Sequence, residues 1–103
     1  METETMIPNP RMAPRFPLGQ IAATPAALDL MGKDAGLAAL LLMRHAAGDG
    51  GDLDSHDAGL NAEAIRLGGA RVLSVYKLIG AGVVWIITEA DRSVTTLLTP
   101  GDY

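Results

Sequence analysis

The sequence predicts an α+β fold in which two to three N-terminal helices pack on a C-terminal three-stranded antiparallel meander. The first observation is a change of period, because apolar residues recur at helical spacing before residue 70 and alternate with period two after it. The second is composition: 103 residues, 49% apolar and 19% charged, suit one compact core rather than two domains. The third is that short turns join the last three strands, which favours antiparallel neighbours.

The first 17 residues are predicted to form an extended or disordered arm, 1–17. They contain four prolines, and each proline lacks a backbone donor and restricts the residue before it. The single α+β domain is then expected to occupy 18–103. Within it, the short apolar stretch 18–23 is either an extra strand or the lead into the first helix, and its pattern leaves both readings open.

Three helices are predicted, each from a capping residue followed by a helical apolar stripe. Thr24 precedes a proline, and Asp34 and Asp54 each stand before such a stripe. Side chains of these types accept hydrogen bonds from the free amides of a first helical turn, and glycines commonly end a helix. The predicted helices run over 25–31, over 35–47, and from Asp54 to the glycine pair at 68–69.

Three strands are predicted over 71–78, from Val83 to a reversal at 90–92, and over 93–99. In the first strand, Val72, Ser74 and Tyr76 share one face, and the alternate residues share the other. Both faces are rich in apolar residues, so a bare sheet would be prone to aggregation. We therefore expect the helices to cover one face of the sheet.

The composition argues against several classes of function. The net charge is −4 and the eight basic residues are spread along the chain, so there is no basic patch for a phosphate backbone. With no cysteine and two histidines, we expect no metal site and no cofactor. The longest apolar run is far shorter than the roughly 20 residues that cross a bilayer. We expect a soluble, cytoplasmic protein that does not contact membranes.

A polar cluster at the last hairpin supplies the candidate catalytic residues. Glu89 is a candidate general base, and Arg92 is a candidate stabiliser of negative charge on a transferred phosphoryl group. Thr96 would support them as a donor, and His45 would act as the acid because imidazole titrates near neutral pH. With helices preceding the sheet, this set is typical of metal-independent ribonucleases of barnase-like fold. The alternative interpretation is a solvated hairpin end, with His45 favoured simply by its place near a helix C-terminus.

The candidate binding residues lie around the same hairpin. Trp85 and Tyr76 are predicted to be neighbours across the first two strands. Either both pack in the core, or Trp85 faces outward and anchors a partner. Asp91 and Thr95, on either side of the reversal, complete the candidate binding set.

Several segments carry a family resemblance. They are Pro17-Leu-Gly-Gln-Ile21, Arg44-His45 with Gly48-Asp49, Leu73-Ser-Val-Tyr76, Trp85-Ile-Ile-Thr-Glu-Ala-Asp-Arg-Ser93, Thr95-Thr96 and Pro100-Gly-Asp-Tyr103. On these segments, most of 7–103 resembles a family of small bacterial proteins, often carried on plasmids and other mobile elements, that are mostly labelled hypothetical or "type I restriction endonuclease subunit M". The chain departs from the family at Gly50, where a tryptophan is common, and in the apolar turn 79–82.

The resemblance implies little about activity. The restriction label would imply a methyltransferase, which needs a glycine-rich S-adenosylmethionine loop and an Asn-Pro-Pro-aromatic motif, and the sequence carries neither. The leading hypothesis is therefore a small accessory binding protein of mobile genetic elements that acts through protein–protein contacts. Its acidic charge suits a partner with a basic nucleic-acid site. The ribonuclease or toxin-like domain is the alternative, and a homodimer through a strand edge or the aliphatic helix is a third hypothesis.

Overall fold

Residues 13–103, which the computed structural model describes, form three α-helices and four β-strands. In chain order they are β1 (Gln20–Ala23), α1 (Pro25–Leu30), α2 (Ala35–Ala46), α3 (Ser55–Leu67), β2 (Val72–Leu78), β3 (Gly82–Thr88) and β4 (Val94–Leu98). A 3₁₀ turn at Pro100–Asp102 follows β4. The α+β class is as predicted, and the helix bounds agree with the prediction to within a residue or so.

The prediction of a three-stranded antiparallel meander is wrong, because the sheet is mixed and has four strands in the order β1-β4-β3-β2. The strands β2, β3 and β4 are antiparallel neighbours, but β1 lies beside β4 and runs parallel to it. Strand β1 falls inside the stretch 18–23, whose structure the pattern leaves open. Its four residues are too few for a period to be visible, and its partner follows some 70 residues later in the chain.

The predicted caps start all three helices. The Thr24 side chain accepts a hydrogen bond from the amide of Ala27 at 3.1 Å. In the same way, Asp34 accepts from the Leu37 amide at 3.1 Å, and Asp54 caps α3 at 2.8 Å. These bonds satisfy amides that have no partner within the helix, which is why polar residues with short side chains stand at these positions.

All three helices pack on one face of the sheet, called the inner face below. Alternate residues of each strand point to this face, and in β2, β3 and β4 they are Val72, Ser74, Tyr76, Val84, Ile86, Thr88, Thr95 and Leu97. Helices α1 and α2 contribute Ala27 and Leu41 to the main core, while α3 contributes Ala64 to a smaller cluster. Phe16, from the predicted arm, is buried in that smaller cluster. Residues 1–12 of the arm lie outside the described residues.

The loop before α3 covers the open edge of β2. The Val75 amide donates to the Gly50 carbonyl at 3.0 Å, and the Val75 carbonyl accepts from the Asp52 amide at 2.7 Å. The Asn61 side chain bonds both the amide and the carbonyl of Leu73. Backbone groups that another chain could pair with are therefore occupied along this edge.

Gly51 is the closest point of this loop to the sheet, and its substitution should be costly. Its φ is +70°, and a Cβ there would run into the Val75 carbonyl oxygen and the Tyr76 ring. We expect Gly51→Ala to lower the free energy of unfolding by about 2 kcal/mol or more, because both the backbone angle and the space oppose a side chain. Urea denaturation monitored by circular dichroism measures the change.

Gly59 provides the matched control, because it lies in α3 and a Cβ there would meet nothing within 4 Å. Gly59→Ala should stabilise the protein by about 0.5–1 kcal/mol, since alanine is the better helix former. Equal effects of the two substitutions would contradict the close approach of Gly51 to the sheet.

Candidate functional site

A chain of buried polar side chains crosses the inner face. His45 of α2 is fully buried, as are Ser74, Thr88 and Thr95, which come from three different strands. The imidazole Nδ1 lies 2.6 Å from the Ser74 hydroxyl, and Nε2 lies 2.8 Å from the Thr88 hydroxyl. Thr88 in turn lies 2.7 Å from Thr95. Each of these four polar groups thus has a hydrogen-bond partner in the protein, as buried polar groups need.

The direction of this chain follows from its last acceptor. The Thr95 hydroxyl donates to the Leu18 carbonyl at 2.7 Å, and a carbonyl can only accept. Thr95 must therefore accept from Thr88, and Thr88 must accept from the N–H at Nε2 of His45. The hydrogen-bond chain therefore places a proton on Nε2. In the neutral imidazole, Nδ1 is then the bare nitrogen and accepts from the Ser74 hydroxyl.

Burial keeps His45 neutral. Removal from water, together with the smaller effect of the positive charge of Arg92, lowers the pKa of His45 from 6.5 to about 4. The Phe16 ring and the imidazole pack nearly perpendicular to each other, with centroids 5.3 Å apart. His45 has no exposed surface that a substrate could contact. In this structure its role is to join α2 to the sheet.

Arg92 is engaged by backbone carbonyls. Its guanidinium donates to the carbonyls of Ala64 at the end of α3 and Ala70 in the following loop, at 2.9 and 2.7 Å. It also donates to the carbonyls of Glu89 and Ala90 in its own hairpin, at 3.1 and 3.3 Å. These bonds fasten the hairpin end to α3 and leave few donors for a phosphate.

Glu89 and Thr96 lie on the opposite side of the sheet from His45. The Glu89 carboxylate pairs with Arg71 at 3.3 Å, and both side chains are largely exposed, so the pair contributes little to stability. Thr96 pairs across β3 with Ile87, on the outer face. The structure therefore does not bring the predicted base, acid and phosphate-binding groups to one pocket, and the ribonuclease hypothesis stays a prediction without a geometry that favours it.

The candidate binding residues also separate. Tyr76 is buried on the inner face, where its hydroxyl donates to the Asp49 carbonyl, and Thr95 belongs to the buried polar chain. Trp85 pairs with Val75 and points to the other face, so the expected contact between Trp85 and Tyr76 does not form. Asp91 is exposed, but its carboxylate accepts hydrogen bonds from the amide and the hydroxyl of Ser93.

The candidate functional site lies on the outer face of the sheet, the face opposite the helices. Trp85 contacts Tyr103 edge-on, with ring centroids 5.6 Å apart. Arg71 donates to the Tyr103 hydroxyl at 3.0 Å. Together with Leu73 and Ile87, these residues line an open cleft of about 270 Å³, called the aromatic cleft below.

The sequence reasoning missed Tyr103 and Arg71, although a signal for this surface exists. Strands β2 and β3 carry apolar residues at both parities, among them Leu73, Val75 and Trp85. Helices packed on one face cannot cover the other, so the pattern indicates an apolar outer face.

No family model, curated protein or solved structure matches the chain. The resemblance to the mobile-element proteins therefore stays a prediction, and the functional reading depends on geometry. Within 13–103, no three histidine, aspartate or glutamate side chains cluster as metal ligands would. None of the described helices has the length and apolar character to cross a membrane.

Proposed function

We propose that the protein is a small accessory binding protein whose aromatic cleft receives a protein partner. The observation that supports the proposal is the outer face of the sheet, because the three described helices all pack on the inner face. Its centre combines tryptophan, tyrosine and arginine, the three residue types that most often dominate the energy of protein interfaces. Tyr103 is 72% exposed, and Trp85 is half-buried.

The cleft is also held in shape before a partner arrives. Tyr103 is fixed by the Trp85 ring on one side and by the Arg71 guanidinium on the other. Arg71 also contacts the Glu89 carboxylate at 3.3 Å. Side chains that are already ordered lose less entropy on binding, so more of the contact energy contributes to affinity.

The charge of the chain favours a basic partner. A net charge of −4 repels nucleic acid but steers the protein towards positively charged surfaces. A protein that itself binds DNA or RNA presents such a surface. We therefore propose that the partner is a DNA-transaction or host-defence protein with a basic nucleic-acid site, encountered by a mobile genetic element.

Trp85 makes a direct test feasible, because it is the one tryptophan in the chain. Protein labelled with 5-fluorotryptophan gives one fluorine signal, which should shift when a nuclease or another basic DNA-processing protein is added. Trp85→Ala and Tyr103→Ala should each weaken binding by about thirtyfold, as expected for residues at the centre of an interface. Affinity should fall as salt rises, because the attraction between opposite charges is screened.

Ile79→Ala is the matched control, because Ile79 is a fully exposed apolar residue in the turn between β2 and β3. It should bind as the wild type does. Circular dichroism establishes that each variant is folded. The proposal is contradicted if no candidate partner binds even at low salt, or if partners bind without a fluorine shift and equally well to Tyr103→Ala.

A further inference from the structure

Strand β1 has one edge that faces no described strand. The Gln20 amide donates to the carbonyl of Ser93, just before β4, at 2.9 Å, and the Thr24 amide donates to the Leu97 carbonyl at 3.0 Å. Since bonding directions alternate along a parallel pair, the amides and carbonyls of Ile21 and Ala23 point away from β4. These groups form a short row of two donors and two acceptors.

Among residues 13–103, nothing gives the edge of β1 the usual protection against pairing. The strand contains no charged residue and no proline, and it is bordered by Gly19 and Pro25. The edge of β2, by contrast, is covered by Gly50, Asp52 and Asn61. Exposed edges without charge, proline or cover are the ones that pair with another chain.

We propose that β1 pairs with β1 of a second copy of this chain, antiparallel and about a two-fold axis at Ala22. Ile21 of each copy then stands opposite Ala23 of the other, and each such pair exchanges both of its backbone bonds, about four bonds in all. Two four-stranded sheets become one of eight strands, with all helices on the same side. This surface is separate from the aromatic cleft, so the inference does not depend on the proposed function.

The side chains fit this register. Ile21 is 49% exposed on the inner face, and the residue it would meet is the small Ala23. On the other face, the residue at the axis is Ala22, at the position where opposed strands come closest. An apolar groove of about 470 Å³, which Ile21 shares with Leu28 and Leu42, borders the same edge.

The charges around the groove favour a second copy over a strongly charged partner. Among the residues that line it, Lys33 and Asp34 carry the charge, with opposite signs at neighbouring positions. Across a two-fold axis, the two residues of one copy run in the opposite order to those of the other, so Lys33 of each copy can face Asp34 of the other. The remaining lining residues are apolar, and a charged partner segment would lose its hydration there without compensation.

Light scattering with size-exclusion chromatography across protein concentration tests the pairing. The wild type should approach twice the 10.7 kDa chain mass as concentration rises. Ile21→Lys should raise the concentration at the midpoint of dimerisation by at least about tenfold, because the charge would be buried opposite Ala23. Ile79→Lys, which places the same charge on a fully exposed turn residue, should dimerise as the wild type does.

Amide exchange of the wild type provides a measurement that does not depend on a variant. The Ile21 and Ala23 amides should exchange slowly at high concentration and quickly at low concentration, because they are bonded only in the dimer. The inference is overturned if the protein stays monomeric throughout, if it assembles with a stoichiometry other than two, if Ile21→Lys dimerises normally, or if these two amides exchange at the same rate at both concentrations.

Discussion

Lowering the pH from about 7 to about 5 should reduce the free energy of unfolding by about 2 kcal/mol through His45 alone, and by about 3 kcal/mol at pH 4. The folded pKa of His45 is about 4 and its ordinary value is 6.5, so between these values the unfolded chain binds the proton that the folded chain refuses. Stability from this group is fully present above pH 6.5 and is lost as the pH falls towards 4.

The structure explains why the folded state refuses the proton. An imidazolium would carry a full positive charge, and the Ser74 hydroxyl beside Nδ1 is neutral and cannot offset it. The new charge would be buried among Phe16, Thr88 and the inner strands, and Arg92 carries a charge of the same sign. Burial without a counter-charge favours the neutral form.

The measurement is urea denaturation at several pH values between 5 and 7. Within 13–103, three carboxyl groups also have a lowered pKa because each accepts hydrogen bonds. Asp49 accepts from Arg44, Asp91 from Ser93, and Asp102 from Thr24. Their contribution is present above their ordinary value of 3.8 and is lost only as the pH falls below it. The range from 5 to 7 therefore isolates the histidine.

His45→Gln and His56→Gln form a matched pair. His45→Gln should be less stable at pH 7, because glutamine cannot satisfy both Ser74 and Thr88, but its stability should change little between pH 7 and 5. His56 is exposed at the start of α3, so His56→Gln should keep the wild-type profile. A wild-type slope in His45→Gln would contradict the assignment of the pH effect to His45.

The second large effect is expected at Arg92. Arg92→Ala should lower the free energy of unfolding by about 2–4 kcal/mol, because it removes charge-assisted hydrogen bonds to carbonyls of α3, the following loop and the hairpin. The guanidinium also lies 5.5 Å from the Phe16 ring centroid, so packing is lost as well.

Two further substitutions separate the causes of this loss. Arg92→Lys should recover little, since a single ammonium cannot reach carbonyls on both sides of the planar guanidinium. Arg92→Gly should be about 1 kcal/mol more stable than Arg92→Ala, because φ at this residue is +63°. Arg66→Ala, on the exposed side of α3, should change stability by less than about 0.5 kcal/mol. If Arg92→Lys had the stability of the wild type, the positive charge and not the hydrogen bonds of the guanidinium would account for the effect of Arg92.

Local signals were enough to predict most of the secondary structure. Thr24, Asp34 and Asp54 identify the helix starts because each accepts a bond from its own first turn. Strand β1 could not be predicted with its partner, because a parallel pair is joined by contacts between distant residues. Nothing near 18–23 encodes the position of β4.

The site was harder to predict for the same reason. His45 meets hydroxyl groups from residues 29 and 43 positions away, and no local pattern joins them. The alternation along the strands gives a weaker signal, because Ser74 and Thr88 fall on the same face as apolar residues that are expected to be buried. Buried hydroxyl groups need partners, which points to a polar residue on a covering helix.

The unequal edges of the sheet limit how far this protein can assemble. Within the described residues, one edge is covered by Asp52 and Asn61, and at the other edge no strand pairs with the backbone groups of Ile21 and Ala23, so each molecule offers one edge to another chain. A molecule with two open edges could add copies at both ends and grow into a fibre. In the proposed dimer, each copy uses its β1 edge in the first pairing, so growth through the sheet would end there.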